Sequence, residues 1–477
     1  MKDQYDIIII GAGPAGMAAA ATLAEIGGTE VSVLVLDEQP APGGQIYRGI
    51  ESPGRAAAVL GTEYAAGAAL AQGLRRASGD DGPIDYASDA TVWQVDNTGR
   101  VGVSIDGKAR LIEGRTIIIA TGAVERPFPI PGWTLPGVMT AGAAQIMLKS
   151  ADLAAEGAVF AGTGPLLYLI VAQYLRAGVD VRAILDTTPR EQYRRAAWLL
   201  PKAWFAGDHI KRGLAYMKEI KRAGVQHIKG VTELRVDAAS IDDPSAKIVT
   251  YRTRSGGGGT METPHVFLHQ GVAPNVNLSR AAGLEHAWDA WQHCWLVVSD
   301  EWGETSEPVI FVAGDGGRIA GAIAAECRGR MAALGALTGL GHIDAGMRDA
   351  QAQDARGYLA RELVVRPFLD LLYAPATNFR VPKDDATIVC RCEEITAGEV
   401  RRAVADGCVG PNQLKAFCRA GMGPCQGRQC ALTVTEIIAQ ETDRDPHDVG
   451  DYRRRPPVKP LKLSELADLH ATTGYSE

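Results

Sequence analysis

The sequence predicts an α/β fold in which two nucleotide-binding-type units precede a small helical module rich in cysteine. A strand, a glycine-rich turn and a helix follow one another twice, at residues 5–25 and 158–176, which is typical of doubly wound domains with a parallel sheet. Six cysteines then lie between Cys390 and Cys430, after a body that has none before Cys294. The length of 477 residues accommodates several domains of about 100–200 residues each.

The composition narrows the class of protein. Hydrophobic residues make up 46% of the chain and charged residues 22%, with a net charge of -7, so we expect no nucleic-acid partner, which would favour a basic face. No apolar run approaches the roughly 20 residues of a transmembrane helix, and the apolar start at Ile7–Ile10 runs into a glycine loop, so it predicts a strand and not a signal peptide. The uneven cysteine distribution indicates a metal site in a reducing compartment. We therefore expect a cytoplasmic protein, and a location peripheral to the inner membrane is the alternative.

The first glycine turn predicts a dinucleotide site. The apolar strand Tyr5–Ile10 leads into a GAGPAG turn and the helix Met17–Glu25. In this pattern the first glycine makes the turn, the second lets the backbone approach a pyrophosphate, and the third lets helix and strand pack closely. A second strand, Val31–Leu36, ends in two acids that can bind a ribose. The candidate residues are Gly11, Gly13, Pro14, Ala15, Gly16, Asp37 and Glu38.

Later segments favour FAD over NAD at this site. A Gly-Gly-Gln loop follows the acids, the strand Thr116–Ala120 ends in Thr-Gly, and the strand Val309–Ala313 ends in Gly-Asp before a helix. This return of the chain to the first domain resembles the two-dinucleotide-binding flavoproteins, which include the pyridine nucleotide–disulfide reductases. The resemblance implies that Asp315 binds the ribitol chain and that a helix N-terminus meets the flavin; the alternative is that Asp315 only caps that helix. The candidates here are Gly44, Gln45, Thr121, Gly122, Gly314, Asp315, Gly321 and Ala322.

The second glycine turn, GTGPLL at residues 162–167, is less complete. Leu167 occupies the place of the third glycine, where its bulk is expected to push helix from strand. NAD(P)H binding is therefore not favoured, and this domain either holds another nucleotide or serves as a scaffold. No CxxC pair lies beside the predicted flavin, so dithiol chemistry is not expected, and no residue is assigned as catalytic.

Four cysteines predict a metal centre: Cys390 and Cys392, then Cys425 and Cys430. Two close pairs of thiolates suit a [2Fe–2S] cluster or zinc, and the flavin favours the cluster, because a one-electron carrier has a use beside it. Structural zinc stays the alternative, and Cys418 is an alternative ligand. We expect helices at 396–406, 411–417 and 431–440, with glycine N–H groups directed at sulfur.

These features divide the chain into six parts. We predict a first part of the FAD domain at 1–125, a second nucleotide-binding-like domain at 126–275, the second part of the FAD domain at 276–345, a linker at 346–385, the [2Fe–2S] domain at 386–440 and an extended tail at 441–477.

Longer motifs give the sequence a family likeness that spans nearly the whole chain. The motifs are GGQIYR at 43–48, ATGAVERP at 120–127, PGWTLPGV at 131–138 and RAGMGPCQGR at 419–428. In them the chain resembles the α (A-type) subunits of bacterial opine oxidases (octopine and nopaline dehydrogenases), with relatives in the B-type subunit of hydrogen cyanide synthase and in hydroxyproline and proline dehydrogenase subunits. The C-terminal module resembles the bacterioferritin-associated-ferredoxin-type [2Fe–2S] domain, although that type often closes its second pair as CxxC.

The resemblance implies a division of labour between subunits. Substrate would be oxidised on a partner β subunit that carries its own FAD and resembles glycine or sarcosine oxidases, and this chain would pass electrons through FAD and [2Fe–2S] to a quinone or another carrier. FMN lies between subunits in some members, and a small third subunit is also allowed. The alternatives are a self-contained NAD(P)H-dependent flavin and iron–sulfur reductase, and an assembly scaffold without working cofactors.

Overall fold

The computed structural model describes residues 1–52, 54, 56–79, 82–203, 207–240, 245–467 and 469. The first segment alternates strands and helices and then forms a β-meander. Its elements are β1 (Gln4–Ile10), α1 (Pro14–Ile26), β2 (Val33–Leu36), α2 (Ala56–Leu60), α3 (Thr62–Ala65), α4 (Gly67–Ala77), β3 (Ile84–Ala87), β4 (Thr91–Val95), β5 (Arg100–Ile105), β6 (Lys108–Ile119) and β7 (Ala123–Glu125).

The second segment repeats the strand–turn–helix pattern and adds an antiparallel sheet. Its elements are β8 (Val138–Thr140), α5 (Ala141–Ala151), β9 (Ala158–Thr163), α6 (Pro165–Arg176), β10 (Val181–Asp186), α7 (Arg190–Ala197), α8 (Leu200–Ala203), α9 (Gly207–Arg222), β11 (Gln226–Lys229), β12 (Val231–Ala238), β13 (Lys247–Thr253), β14 (Gly258–Thr263), β15 (Val266–Gln270) and β16 (Val272–Pro274).

The third segment returns to the first sheet, and the fourth is mostly helical. The third contains α10 (Asn277–Ala281), β17 (His286–Asp289), β18 (Cys294–Val297), β19 (Ile310–Val312), a 3-10 turn (Gly314–Gly316) and α11 (Ala322–Gly339). The fourth contains α12 (Ala345–Val364), α13 (Arg366–Leu372), α14 (Thr377–Arg380), β20 (Ile388–Cys390), β21 (Ile395–Thr396), α15 (Ala397–Ala405), α16 (Pro411–Cys418), α17 (Ala431–Thr442), α18 (Pro446–Val449) and α19 (Leu463–Ala467).

Two sheets form the two nucleotide-binding-type units, the first mixed, with β4 and β5 antiparallel to their neighbours, and the second parallel. The first has seven strands in the order β3-β2-β1-β6-β5-β4, with β19 paired in parallel to β6. The second has five strands in the order β11-β10-β9-β15-β8. Ile7 to Ile10 of β1 are all buried, as expected for a parallel strand covered on both faces. The pairing of β19 confirms that the chain returns to its first domain.

Small side chains bring α1 and α11 together over the first sheet. Ala18, Ala19 and Ala20 of α1 are fully buried, as are Ala332, Ala333 and Ala336 of α11. The helices approach closely at Gly329 of α11, where a Cβ atom would lie 2.1 Å from the carbonyl oxygen of Ala15 of α1. This packing places the start of α11 near the start of α1, where the first site is predicted.

The C-terminal module has its own hydrophobic core. Its helix α15 begins with a capping box, in which the Thr396 side chain accepts from the Glu399 N–H and the Glu399 carboxylate accepts from the Thr396 N–H. The region predicted as an extended tail differs from that expectation, because α17 continues to Thr442 and two short helices follow it. Tyr452 and Arg454 of this region are buried against the rest of the chain. Within the described residues, we find no helix with the length and apolarity that crossing a membrane requires.

Candidate functional site

The turn between β1 and α1 is shaped by close backbone contacts. A Cβ atom on Gly16 would lie 1.8 Å from the carbonyl oxygen of Gly11, so only glycine lets α1 pack onto the turn. Helix α1 begins at Pro14, and no side chain caps its N-terminus. Its first backbone N–H groups are thus available to an anion such as a pyrophosphate.

The Gly43-Gly44-Gln45 loop lies against this turn. The backbone N–H of Gly43 donates to the Ala12 carbonyl oxygen over 2.8 Å. A Cβ atom on Gly13 would meet only the Cα atom of Gly44, at 3.8 Å. The backbone at Gly13 is therefore open to a ligand, as the sequence predicted for the second glycine of the motif.

The two acids after β2 have different surroundings. Asp37 is buried and accepts hydrogen bonds from the backbone N–H groups of Ala12 and Gln39. Burial raises the pKa of its carboxyl group, against the effect of these hydrogen bonds. Glu38 instead forms an ion pair with Lys459 of the C-terminal region. Asp37 thus contacts the glycine turn through the Ala12 N–H, Glu38 beside it is paired with Lys459, and the role of both acids as ribose ligands stays a prediction.

A buried lysine stabilises the Gly-Gly-Gln loop by hydrogen bonds to its backbone. Lys149 of α5 donates to the carbonyl oxygens of Gln45 and Ile46, at 3.1 and 2.7 Å, and to Oε1 of Gln145 at 3.0 Å. Burial, and after it the charge of Arg48, lowers the pKa of Lys149 to about 7. The Gln45 side chain accepts from Arg48 over 3.0 Å. Lys149 was not predicted, and an isolated lysine in a helix carries no signal that could have revealed it.

The later glycine motifs meet the first turn. A Cβ atom on Gly314 would lie 2.7 Å from Cβ of Ala15, and one on Gly316 would lie 3.2 Å from the backbone nitrogen of Gly122. Gly122 and Gly321 have positive φ angles of 64° and 106° with open space around them. These contacts bring the backbone around Gly122 and Gly314 next to the first glycine turn, and the FAD-binding role of the residues there stays a prediction.

Asp315 holds the turn that precedes α11. Its Oδ1 atom accepts from the backbone N–H groups of Ala320 and Gly321, at 2.8 and 3.1 Å. These hydrogen bonds hold the turn ahead of α11 and do not cap the helix, so they are not the capping role that the sequence left open as an alternative. No side chain caps α11 at Gly321 itself, so the helix start at Ala322 presents unpaired N–H groups towards the same surface.

The middle domain has a crowded glycine turn. Leu167 is fully buried while α6 still packs on the sheet, so the expectation that its bulk separates helix from strand is wrong; the hydrophobic core accommodates it. The close contact lies elsewhere, because a Cβ atom on Gly162 would be 1.7 Å from the carbonyl oxygen of His269. The Nδ1 atom of His269 lies 2.6 Å from Glu125, whose other oxygen accepts from the Gly142 N–H at 2.8 Å.

The acid of the middle domain is already engaged. Asp186 accepts from the Tyr168 hydroxyl at 2.9 Å and from the Thr188 backbone N–H at 2.8 Å, and His227 Nε2 lies 3.5 Å away. These hydrogen bonds and the histidine lower the pKa of Asp186 although its burial opposes them. A ribose would have to displace these partners, so the geometry does not favour a dinucleotide here.

The four predicted metal ligands come together as two pairs. The Cys390 and Cys430 sulfurs are hydrogen-bonded to each other, and this contact, helped by the backbone N–H groups of Gly421, Glu393 and Cys392, lowers the pKa of Cys390 to about 6. The same contact raises the pKa of Cys430 well above its usual range. Cys392 is hydrogen-bonded to the Cys425 side chain and to its backbone N–H, and burial raises the pKa of Cys392.

The two candidate metal centres place different demands on the four cysteines. Zinc draws four ligands to one point, whereas in a cysteine-ligated [2Fe–2S] cluster each iron takes two thiolates. Within the part of the chain that the structure describes, no group of three or more His, Cys, Asp or Glu side chains converges on one metal position. The four cysteines thus meet in pairs without forming a ready-made metal site among the described residues.

The other two cysteines of the C-terminal module, Cys408 and Cys418, donate to nearby backbone carbonyl oxygens. The Cys408 thiol donates to the Gly410 carbonyl oxygen at 3.4 Å, and the Cys418 thiol donates to Leu414 at 3.7 Å. The Tyr452 hydroxyl, by contrast, lies 3.9 Å from the Cys430 sulfur. Tyr452 comes from the region beyond the predicted module, so nothing in the local sequence pattern connected it with the cysteines.

The module contacts the body of the chain beside both predicted sites. The Trp133 indole N–H donates to the Ile388 carbonyl oxygen over 2.7 Å, next to Cys390. On another side, Asn277 of α10 donates to the Cys425 carbonyl oxygen over 3.1 Å. Cys392 is exposed, whereas Cys390 and Cys430 are buried. One edge of the cysteine site thus faces solvent, whereas Cys390 and Cys430 lie in the hydrophobic core of the module itself.

Comparisons with known proteins agree with this layout. Residues 5–185 match the model of the family described as pyridine nucleotide-disulphide oxidoreductase, and residues 385–469 match the sarcosine oxidase A3 domain. The chain is 44% identical to the A-type subunit of opine oxidase from Agrobacterium tumefaciens (strain Ach5), over 99% of this chain and 93% of that protein. It is 33% identical to the HcnB subunit of hydrogen cyanide synthase from Pseudomonas aeruginosa, over 97% of this chain and 98% of that protein.

A solved structure shares the fold along nearly the whole length. The L-proline dehydrogenase from P. horikoshii superposes with a TM-score of 0.68 and 18% sequence identity, over 97% of this chain and 79% of that chain. At this identity the likeness concerns the fold. It includes the two nucleotide-binding-type units and extends to the C-terminal region.

Proposed function

Because the chain belongs to the family of the opine oxidase A-type subunits, we propose that it is the FAD- and [2Fe–2S]-containing electron-transfer subunit of a heteromeric dehydrogenase. The family makes the chain part of an oxidoreductase flavoprotein. The substrate class we propose is an opine such as octopine or nopaline, or a related amino or imino acid.

The FAD would be held by the surface that the glycine motifs form. The N-terminus of α1, the backbone at Gly13 and the facing Gly44 suit the pyrophosphate, and Asp37 suits the ribose. The open backbone at Gly122 and Gly321 and the turn at Asp315 suit the rest of the cofactor. These assignments are supported by geometry that leaves this backbone free of side-chain bulk.

The cluster would be held by Cys390 with Cys430 and by Cys392 with Cys425. Backbone N–H groups at Gly421 and Cys425 already point at cysteine sulfurs, and hydrogen bonds of this kind stabilise a charged cluster and tune its potential. The Cys430 thiol donates to the buried Tyr452 hydroxyl over 3.9 Å, and once this sulfur is a deprotonated ligand the hydroxyl would donate to it. Bound together, a flavin and a cluster convert a two-electron oxidation into single-electron steps.

The chemistry on the substrate would belong to a partner. Opine oxidase and sarcosine oxidase relatives carry subunit names, which supports a heteromeric enzyme. We propose a β subunit that resembles glycine or sarcosine oxidases and carries its own FAD, with FMN at an interface between subunits and a small third subunit as further components. A quinone or similar carrier would accept the electrons. We therefore propose that the complex lies in the cytoplasm with access to the inner membrane.

The proposal rests mainly on the contacts of Cys390 with Cys430 and of Cys392 with Cys425. The hydrogen bond from Asn277 to Cys425 joins this site to the flavin-type domain. The test is anaerobic purification of the full chain together with its partner subunit, followed by metal, sulfide and flavin analysis. We expect about two iron atoms and about two sulfides per chain beside FAD. Zinc in place of iron would contradict the cluster, and an absorption spectrum without flavin or iron–sulfur bands would favour the scaffold.

The substrate and the electron source need separate measurements. Dye reduction by the complex with octopine, nopaline, hydroxyproline, proline and glycine would identify the substrate, with opines expected first. Mixing the isolated chain with NADH or NADPH should leave the flavin oxidised, because Asp186 is engaged and the turn at Gly162 is crowded. Rapid bleaching of the flavin would instead establish the self-contained reductase.

A further inference from the structure

A small cavity lies between the flavin-type domain and the cysteine module. Its volume is about 30 Å³, and a volume of roughly 10–15 Å³ suffices for one water molecule. Arg126 and Trp295 line it from the body of the chain, whereas Arg454 and Asp451 line it from the C-terminal region. The cavity therefore has room for a small polar occupant and sits where two parts of the fold dock.

Positive charge is in excess around this cavity. Among the described residues that line it, Asp451 is the only carboxylate, and it pairs with Arg454 and, at 3.4 Å, with Arg280. Arg126 is buried and donates to the backbone carbonyl oxygens of Gln292 and His293, at 2.6 and 2.9 Å. Arg454 and Arg280 thus share one carboxylate, whereas Arg126 meets backbone carbonyl oxygens and Arg428 adds another guanidinium group to the lining. An unbalanced buried charge costs several kcal/mol, so a fold retains it only if something compensates it.

The unmatched polar atoms of the lining are all donors. Among the described residues that line the cavity, Nε of Arg126, Nε of Arg454 and Nε1 of Trp295 are buried and have no nitrogen or oxygen acceptor, although the Arg126 side chain also contacts the Cys294 thiol. Arginine stays protonated and the indole nitrogen can only donate, so none of these atoms can be satisfied by another donor. No unmatched acceptor comes from the described residues that line the cavity. The occupant must therefore accept several hydrogen bonds at once.

We propose that this cavity binds one small anion, of the size of a halide or a single carboxylate group. An anion meets both requirements, because it supplies the missing negative charge and accepts from all three donors. Asn277, which donates to the Cys425 carbonyl oxygen, lines the same cavity, so the bound anion also stabilises the docking of the cysteine module. This inference is independent of the cofactors and of the electron-transfer role proposed above.

The test compares anions at equal ionic strength on the intact chain. The melting temperature of the wild type should be higher in chloride, bromide or acetate than in gluconate, which is too large to enter, by about 1–3 °C. Trp295→Phe removes one donor and keeps an aromatic ring beneath Arg280, so it should weaken the anion dependence by about tenfold in midpoint concentration.

The chain offers a matched control for this variant. Trp93 is also buried, its Nε1 atom also lacks an acceptor, and it does not line the cavity. Trp93→Phe should therefore keep the full response to chloride. Crystals of the wild type soaked in bromide should show an anomalous peak between Arg126 and Trp295. Equal melting temperatures in chloride and gluconate, or density for water only at that position, would overturn the proposal.

Discussion

Asn277 and Cys425 are joined by a hydrogen bond of 3.1 Å from the side-chain amide to the backbone carbonyl. Two residues before Asn277, the backbone N–H of Asn275 donates to Gly122 at 3.0 Å and its carbonyl oxygen accepts from the Thr121 hydroxyl at 3.2 Å. The turn 275–277 therefore touches the predicted flavin site at one end and the predicted cluster loop at the other. It connects the two sites through a short run of covalent backbone with a hydrogen bond at each end.

Loss of this link should loosen the docking of the module. Asn277→Leu keeps the approximate volume and removes the donor, so it should lower the stability of docking by about 1 kcal/mol, the usual net value of a hydrogen bond. Stopped-flow reduction of the holoprotein should then show slower transfer from flavin to cluster at unchanged flavin content. Asn97→Leu, at an exposed turn, is the control. Equal transfer rates in both variants would remove Asn277 from the route.

The cysteine assignment can be tested residue by residue. Serine at Cys392 or Cys425 should abolish the iron–sulfur absorption and paramagnetic resonance signals, because one iron loses a thiolate. Serine at Cys408 or Cys418 should preserve both signals, since these thiols donate to helix carbonyls. If the cluster survives Cys425→Ser but not Cys418→Ser, then Cys418 is a ligand and Cys425 is not.

The first glycine turn could be predicted because its physical requirements are local, and Gly16 must lack a side chain since its own turn closes over it. The cysteine contacts join Cys390 with Cys430 and Cys392 with Cys425, which spacing along the chain does not show, and their metal chemistry stays a prediction. Lys149 is different, because its role depends on the Gly-Gly-Gln loop more than a hundred positions earlier. Tyr452 and Arg454 were assigned to an extended tail, since no periodic pattern shows that single side chains of that region are buried.

The interpretation of Leu167 was wrong for a related reason. The motif rule treats the third glycine as the contact between helix and strand, whereas in this turn the tight contact lies between Gly162 and His269 of a distant strand. Leu167 instead fills the hydrophobic core. A rule based on the glycine motif predicts this contact correctly only when the helix meets the sheet at the same angle. In this domain that angle depends on the strand that contains His269, which lies outside the motif.

Alanine at Gly13 should separate cofactor binding from folding. Its φ angle of -76° suits any residue, and the added methyl group would meet only Gly44, at 3.8 Å. The apoprotein should therefore keep its melting temperature, whereas FAD affinity should fall at least about tenfold, because overpacking costs on the order of 1–3 kcal/mol. Fluorescence titration with FAD measures the loss.

Two further alanine variants serve as controls for Gly13→Ala. Gly73→Ala, in an open part of α4, should change neither stability nor FAD affinity. Gly16→Ala, with its contact of 1.8 Å to Gly11, should destabilise the fold itself. If Gly13→Ala binds FAD as the wild type does, the pyrophosphate does not lie at this turn.

The Tyr452 hydroxyl should tune the cluster. Phenylalanine at this position keeps the ring that packs over Gly421 and Gly427 and removes the hydroxyl donor beside Cys430. Because a hydrogen bond to a ligand sulfur favours the reduced, more negative cluster, Tyr452→Phe should lower the reduction potential while the iron content stays constant. A potentiometric titration followed by paramagnetic resonance checks this, and a rise in potential would contradict it.

Lys149 should make stability depend on pH above neutrality. Its pKa is lowered from 10.5 to about 7 in the folded chain, so between these values the unfolded chain binds the proton that the folded chain has released. Stability linked to this group therefore rises with pH through that window, by at most about 1.4 kcal/mol per pH unit. Urea unfolding of the wild type and of Lys149→Met from pH 7 to pH 9 isolates the effect, since other titrating groups are common to both. We expect the wild type to gain stability relative to the variant as the pH rises, and Lys218→Met, on exposed helix surface, to follow the wild type. A difference between wild type and Lys149→Met that stays constant with pH would show that the ammonium group keeps its ordinary pKa beneath the loop.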